Sequence, residues 1–221
     1  SGLLSDTSDL NEERIAFFLP ASINYVTVMH GVWRAGGIAV PLNVASAVME
    51  LEHYLSCASV TRLIANPESH ETLAPLCHEL EIRLLSVDEV MVTTAAKLPH
   101  VSEDRRAMML FTSGTTNKPK GVVSTHKTIK AQITTLIEAW AWSREDVIPL
   151  FLPLHHIHGI VNILSCGLWA GATVHLFAKF DIPRITEQVA SGTYNVFMAV
   201  PTIYVKLIQY FDSIGQEQVR S

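Results

Sequence analysis

For most of its length the chain alternates short, β-branched apolar runs with longer stretches of helical period, and that order is accommodated by a mainly parallel sheet covered by helices. The runs Arg14–Leu19, Ile38–Pro41, Arg62–Ala65, Ile82–Leu85 and Ala107–Phe111 read as strands. Asn24–Ala35, Val48–Ala58 and Ser69–Leu80 read as the helices between them, the first stopped by Gly36 and Gly37. Val92–Arg106 reads as a polar connection. Beyond Phe111 lie a Ser/Thr/Gly-rich stretch, a brief extension at Val122 and Val123, and Thr125 placed to cap a helix running to about Trp142. A second αβ unit follows: strand Val147–Leu152, a histidine-rich turn, helix Ile160–Trp169, strand Thr173–Phe177, helix Asp181–Ala190, strand Asn195–Val200, and a helix from Pro201, where a missing N–H costs nothing. The expected fold class is α/β, with stacked, mainly parallel sheets and flanking helices. Residues 1–145 are expected to form a first αβ subdomain, and residues 146–221 part of a second whose last residues run out in polar sequence.

Composition narrows the function classes. At 221 residues, 48% hydrophobic and 17% charged, the chain has an ordinary globular make-up. A net charge of −5 gives no reason to expect nucleic acid as a partner. Cys57, Cys77 and Cys166 are scattered and odd in number, which suggests neither a disulfide framework nor a zinc knuckle and fits a reducing, cytoplasmic setting. The most apolar run, Ile160–Ala170, is well short of the roughly 20 residues a bilayer span needs, so no membrane partner is expected.

The chemistry concentrates in one loop. Thr112, Ser113, Gly114, Thr115, Thr116, Asn117, Lys118, Pro119, Lys120 and Gly121 follow a buried strand, and a strand's C-terminal end is where open α/β sheets bind ligands. Four hydroxyls, two glycines and two lysines supply the donors and positive charge that phosphate oxygens seek. Gly114 allows close backbone approach, Lys120 can neutralise a leaving pyrophosphate, and Asn117 tolerates positive φ. The plain alternative is a flexible surface linker. The order of residues is not that of the Walker loop, since Lys120 precedes Gly121 and valines follow.

Three histidines lie within His155–His158. On an extended segment His155 and His156 would point to opposite sides, which argues against a shared metal ion. Lys179 could meet an acid group, although a lysine at a strand's end is commonly solvated. Trp33, Trp140 and Trp169 sit on helical faces and read as packing.

The string Phe111–Gly121 resembles the signature loop of the adenylate-forming, acyl-activating superfamily, which includes acyl-CoA synthetases, luciferases and the adenylation domains of peptide synthetases. Asn117 stands where glycine is usual. The stretch from Trp33 to Asn43 resembles that family's upstream element, and Leu152–Gly159 its acyl-pocket motif. Leu154–Gly159 and Phe197–Tyr204 look most like malonyl-CoA synthetases and related acyl-CoA synthetases. The resemblance implies ATP, Mg2+ and coenzyme A as cofactors, a small carboxylic acid as substrate, and formation of an acyl-adenylate and then a thioester. It places His156 over the reacting carboxylate and α-phosphate and His158 toward the acyl pocket, with Val200, Pro201 and Thr202 as further substrate contacts and Thr112 as a possible magnesium ligand. His156 and Lys120 are then the catalytic candidates. It also implies that the chain is an N-terminal fragment, inactive alone, because the family's adenine site, ribose-binding aspartate, acidic magnesium ligand and mobile C-terminal domain would lie downstream. Two rival functions stay open: an adenylation domain loading an amino or aryl acid onto a carrier protein, and a non-catalytic anion-binding αβ module.

Overall fold

The computed structural model describes residues 2–5, 7–92, 96–112 and 119–214. After a 3-10 turn at Gly2–Leu4 come β1 (Arg14–Phe18), α1 (Ile23–Arg34), β2 (Ile38–Pro41), α2 (Val48–Cys57), β3 (Arg62–Ala65), α3 (His70–Glu79), β4 (Arg83–Ser86) and α4 (Val87–Val90). They are followed by β5 (Arg106–Thr112), β6 (Lys120–Thr125), α5 (His126–Ala139), β7 (Val147–Leu150), a π-helical run over His158–Ser165, α6 (Cys166–Ala170), β8 (Thr173–Leu176), α7 (Ile182–Ala190) and α8 (Pro201–Ile214). A six-stranded sheet has the order β4-β3-β1-β2-β5-β6, and β7 and β8 form a second sheet. All pairs are parallel except β5–β6, an antiparallel hairpin at the sheet edge. This is the α/β class expected from the sequence.

Period-two alternation sorts the first sheet's residues onto two faces. Ala16, Ile38, Val40 and Leu63 meet Leu51 and Leu55 of α2 and Leu73 and Leu76 of α3 in one apolar cluster. Ile15, Phe17, Ala39 and Met108 meet Val28, Met29 and Val32 of α1 and Ile129 and Ile133 of α5 in another. That second cluster continues into Ile148, Leu150, Ile160, Ile163 and Leu164, so α1 and α5 lie between the first sheet and the second unit.

Local signals explain most boundaries. Ser22 Oγ accepts from Tyr25 N to cap α1, and the chain leaves that helix through Gly36 at φ +83°, a region glycine enters without strain. Thr125 caps α5 as anticipated, its Oγ1 accepting from Thr128 N at 3.2 Å. Three Arg–carboxylate pairs, Arg62–Glu13, Arg105–Asp9 and Arg106–Glu12, bind the Asp9–Glu13 segment onto the sheet.

Four expectations need correction. Asn195–Val200 forms no strand: its link to β7 is a 3.4 Å bond from Val196 N to Val147 O, while the Asn195 side chain, rather than a backbone carbonyl, accepts from Val147 N at 2.7 Å. That substitution breaks the ladder where it would begin. The short helix α4 stands where no helix was expected; Ser86 and Glu89 reciprocally cap its first turn. The helix after the histidine turn starts two residues early and in π geometry. Finally, Trp33 packs inward with Nε1 donating to Ala107 O at 2.7 Å, but Trp140 and Trp169 are exposed rather than packed, each close to its helix's C-terminus.

Candidate active site

Because β1, β2 and β5 run parallel, all three deliver their C-terminal ends to one edge. The segments following β7 and β8 reach that edge too. There a cavity of about 250 Å3 is lined by Pro41, Leu42, Asn43, Ser46, Glu50, Tyr54, Phe111, Thr112, Pro119, His155 and His156. A neighbouring cavity of about 180 Å3 shares Leu42, Asn43 and His155 with it and extends between the ends of β1 and β8.

Thr112 ends β5 and Lys120 begins β6 directly opposite it in the hairpin register. The expected phosphate-contacting residues Ser113, Gly114, Thr115, Thr116, Asn117 and Lys118 lie outside the described residues; what is described is the stem that carries them. That stem is braced from α2. His53 Nε2 lies 2.9 Å from Pro119 O, a contact in which the imidazole must donate because a carbonyl can only accept. Tyr54 stacks on Phe111 with ring centroids 4.6 Å apart. Lys120 is exposed. Gly121 pairs with Phe111, and a Cβ there would fall 2.9 Å from Met109 Sδ.

The histidine segment is a turn, not an extended strand. His156 N donates to Pro153 O at 3.3 Å, and the rings of His155 and His156 lie against each other, centroids 4.1 Å apart and planes tilted by 52°, instead of pointing to opposite sides. Tyr25, fully buried on α1, donates its hydroxyl to Leu154 O at 2.6 Å. The π-helical run begins at His158, with Ile160 N bonded to His156 O at 3.2 Å and Ser165 Oγ donating to Ile160 O at 2.7 Å. π-Helical turns gather at functional sites, and here one re-aims the chain straight after the histidines. Gly159 makes this possible: a Cβ at that position would sit 2.9 Å from Pro153 O.

His155 is half-buried, and burial together with its neighbour His156 brings its imidazole down to about 4, leaving it neutral at working pH. His156 is exposed on the cleft wall. His158 is half-buried and does not line the cleft, and its Nε2 is buried with no hydrogen-bond partner among the described residues. Val200 packs half-buried against the main core, and Pro201 and Thr202 are exposed at the start of α8; none of the three lines the cleft. Among the described residues no three His, Cys, Asp or Glu side chains converge to hold a metal ion. The fold therefore brings Thr112, the stem of the loop and His156 around one cavity, and leaves His158 and the start of α8 elsewhere. Sequence reasoning missed Asn43, Ser46, Glu50, His53, Tyr54 and Tyr25. All but Tyr25 come from β2's exit and α2, where nothing local marks a residue as facing a loop some 60 positions away.

The family described as AMP-binding enzyme matches residues 7–220. The human mitochondrial malonate–CoA ligase (Homo sapiens) is 41% identical over 214 residues, covering 92% of this chain and 37% of that protein. The malonate–CoA ligase of Arabidopsis thaliana is 30% identical over 230 residues, covering 94% of this chain and 38% of that protein. Among solved structures, a malonyl-CoA ligase product complex with methylmalonyl-CoA and AMP bound superposes with a TM-score of 0.75 at 29% identity, over 86% of this chain and 40% of that one. ATP-bound MatB from Rhodopseudomonas palustris gives 0.81 at 26% identity, over 90% and 41%. The chain thus spans about two fifths of the length of the relatives it matches.

Proposed function

The chain belongs to the AMP-binding enzyme family, and from that premise we propose that its natural gene product activates a small carboxylic acid with ATP and passes the acyl group to coenzyme A. In the first half-reaction a carboxylate oxygen attacks the α-phosphorus and the bond to pyrophosphate breaks. In the second the thiol of coenzyme A attacks the acyl carbon and AMP leaves. The observation that carries this reading is the single cleft shared by Thr112, the loop stem at Pro119 and His156.

In this reading the residues divide the work. Thr112 through Lys118, with Lys120 and Gly121, hold the polyphosphate; Lys120 offsets charge on the departing pyrophosphate. His156 donates to the carboxylate or the α-phosphate and holds them in line. Neutral His155 packs against it and adds no competing charge. The hydroxyl of Thr112 suits a magnesium ion held chiefly by phosphate oxygens, and bound magnesium would neutralise phosphate charge. The substrate role that the resemblance gives His158, Val200, Pro201 and Thr202 stays part of this proposal, carried by the resemblance rather than by the cleft.

Malonate is the favoured acid because two malonate–CoA ligases are among the relatives. We also infer a division near residue 145, supported by the change of sheet between β6 and β7, and no turnover by the 221-residue chain alone, because it spans so little of its relatives. No helix among the described residues is long and apolar enough to cross a membrane. The free cysteines fit a reducing compartment, either the cytoplasm or the mitochondrion named for the human relative.

The test is ATP–pyrophosphate exchange by the gene product with malonate, fatty, aryl and amino acids. Malonate-stimulated exchange that falls roughly 10²-fold or more in His156→Ala and in Lys120→Ala supports the reading. Stimulation by amino or aryl acids alone would instead favour a carrier-loading adenylation domain. Exchange untouched by either substitution would remove Lys120 and His156 from the chemistry, and no exchange with any acid would favour a non-catalytic anion-binding module.

A further inference from the structure

The loop stem and the histidine turn belong to different sheets, so something must hold one in register with the other. We propose that Tyr25 is that positioning residue: by holding Leu154 O it sets the direction in which His156 faces the cleft. This rests on the reading above that His156 meets the reacting groups.

Tyr25 is tied to the first sheet through its ring, which meets Phe17 of β1 edge-on with centroids 5.1 Å apart. Its backbone N–H is held by Ser22, the cap of α1, which fixes the residue in the first turn of that helix. Its hydroxyl then reaches across to the second unit, bonding at 2.6 Å a carbonyl 129 positions away in sequence. Full burial holds the phenol well above its ordinary range, so it stays protonated and donates at any working pH. Leu154 O belongs to the peptide unit that leads into His155, and a rotation of that unit would swing both contacting rings. The backbone bond within the turn, His156 N to Pro153 O, is long at 3.3 Å and stays inside the turn, so it cannot refer the turn to the sheet that bears Thr112. Tyr25 can, because α1 packs on that sheet. A misplacement of about 1 Å can cost 10²-fold in rate when catalysis depends on alignment.

Tyr25→Phe removes one oxygen and keeps the ring. Val28→Ala on the same helix removes buried volume without touching the turn and controls for simple loss of stability. The readouts are ring resonances of protein labelled with 15N-histidine, and the kcat and KM of malonate-dependent exchange. The expected result for Tyr25→Phe is displaced His155 and His156 resonances, kcat down about tenfold or more and KM for ATP within twofold, with Val28→Ala leaving both readouts near wild type. Unmoved ring resonances in Tyr25→Phe, or equal displacement in Val28→Ala, would overturn the assignment of Tyr25. Displaced resonances with unchanged exchange would refute its part in the reaction. Retained exchange in His156→Ala would show instead that the reading of His156 had failed, and Tyr25's role with it.

Discussion

Single atoms decide the geometry of the cleft. Gly159 has no side chain where a Cβ would press to 2.9 Å from a backbone carbonyl, and backbone cannot swing aside as a flexible side chain can. Gly159→Ala should therefore destabilise the protein by about 1–3 kcal/mol and shift the histidine turn. For a domain of this size that corresponds to a melting temperature lower by roughly 2–10 °C, measurable by circular dichroism. A variant as stable as wild type would mean that the turn yields freely. At this scale the sequence was informative about residue type but not direction. Thr112 stood out as one hydroxyl of a donor-rich loop at a strand's end, and His156 through the resemblance of Leu152–Gly159 to the family's acyl-pocket motif. Tyr25 was not, since a tyrosine on the apolar stripe of a helix looks like any other core residue until its hydroxyl is seen on Leu154 O.

Secondary-structure elements were legible where their signals are local. Thr125 was recognisable as the cap of α5 because the hydroxyl that replaces a missing partner lies within three residues of the N–H it satisfies. Thr125→Ala should cost about 1 kcal/mol and leave the sheet intact; urea unfolding would register it as a lower midpoint at constant slope, whereas a changed slope would point to a wider rearrangement. Asn195–Val200 failed as a strand for the opposite reason. Its β-branched and aromatic composition is strand-like, yet pairing depends on a partner edge, and at that edge the Asn195 side chain takes the donor that a ladder would have used. The π-helical run was not legible either; it begins beside the close approach of Gly159 to Pro153 O, which leaves no room for a Cβ.

Across the whole molecule, titration should weaken the fold in two stages as pH falls. His30, His126 and His155 are held below the ordinary imidazole value of 6.5, chiefly by burial, so the unfolded chain takes up their protons first. Their contribution is complete above about 6.5 and is lost as pH drops from there toward the folded values, about 4 for His155. The carboxyls respond with the same sign for a different reason. Hydrogen bonds from Arg105 and Arg106 hold Asp9 and Glu12 below their ordinary values of 3.8 and 4.5. Burial pushes Glu13 up, but Arg62 and Thr61 together outweigh it and hold that group below 4.5 as well. Stability from these pairs is present above the ordinary values and lost below them. Because the pairs are partly exposed, the second loss should be modest and screened by salt. Urea midpoints measured from pH 8 to 3 should stay level to about 7, fall through 6.5 to 4, and fall again below 4.5. A level profile down to pH 4 would contradict the burial of the imidazoles.

The sequence by itself determined the α/β order of elements, the hydroxyl- and glycine-rich loop at the end of β5, and the family, because periodicity, caps and contiguous motifs are written in residues that are neighbours in the chain. The tertiary structure alone decided which of the candidates share a cleft. It set Thr112 and His156 around one cavity, left His158 and Val200–Thr202 outside it, and joined α1 to the histidine turn through Tyr25. Those relations depend on how two sheets pack, and packing couples residues whose separation in sequence carries no local signal.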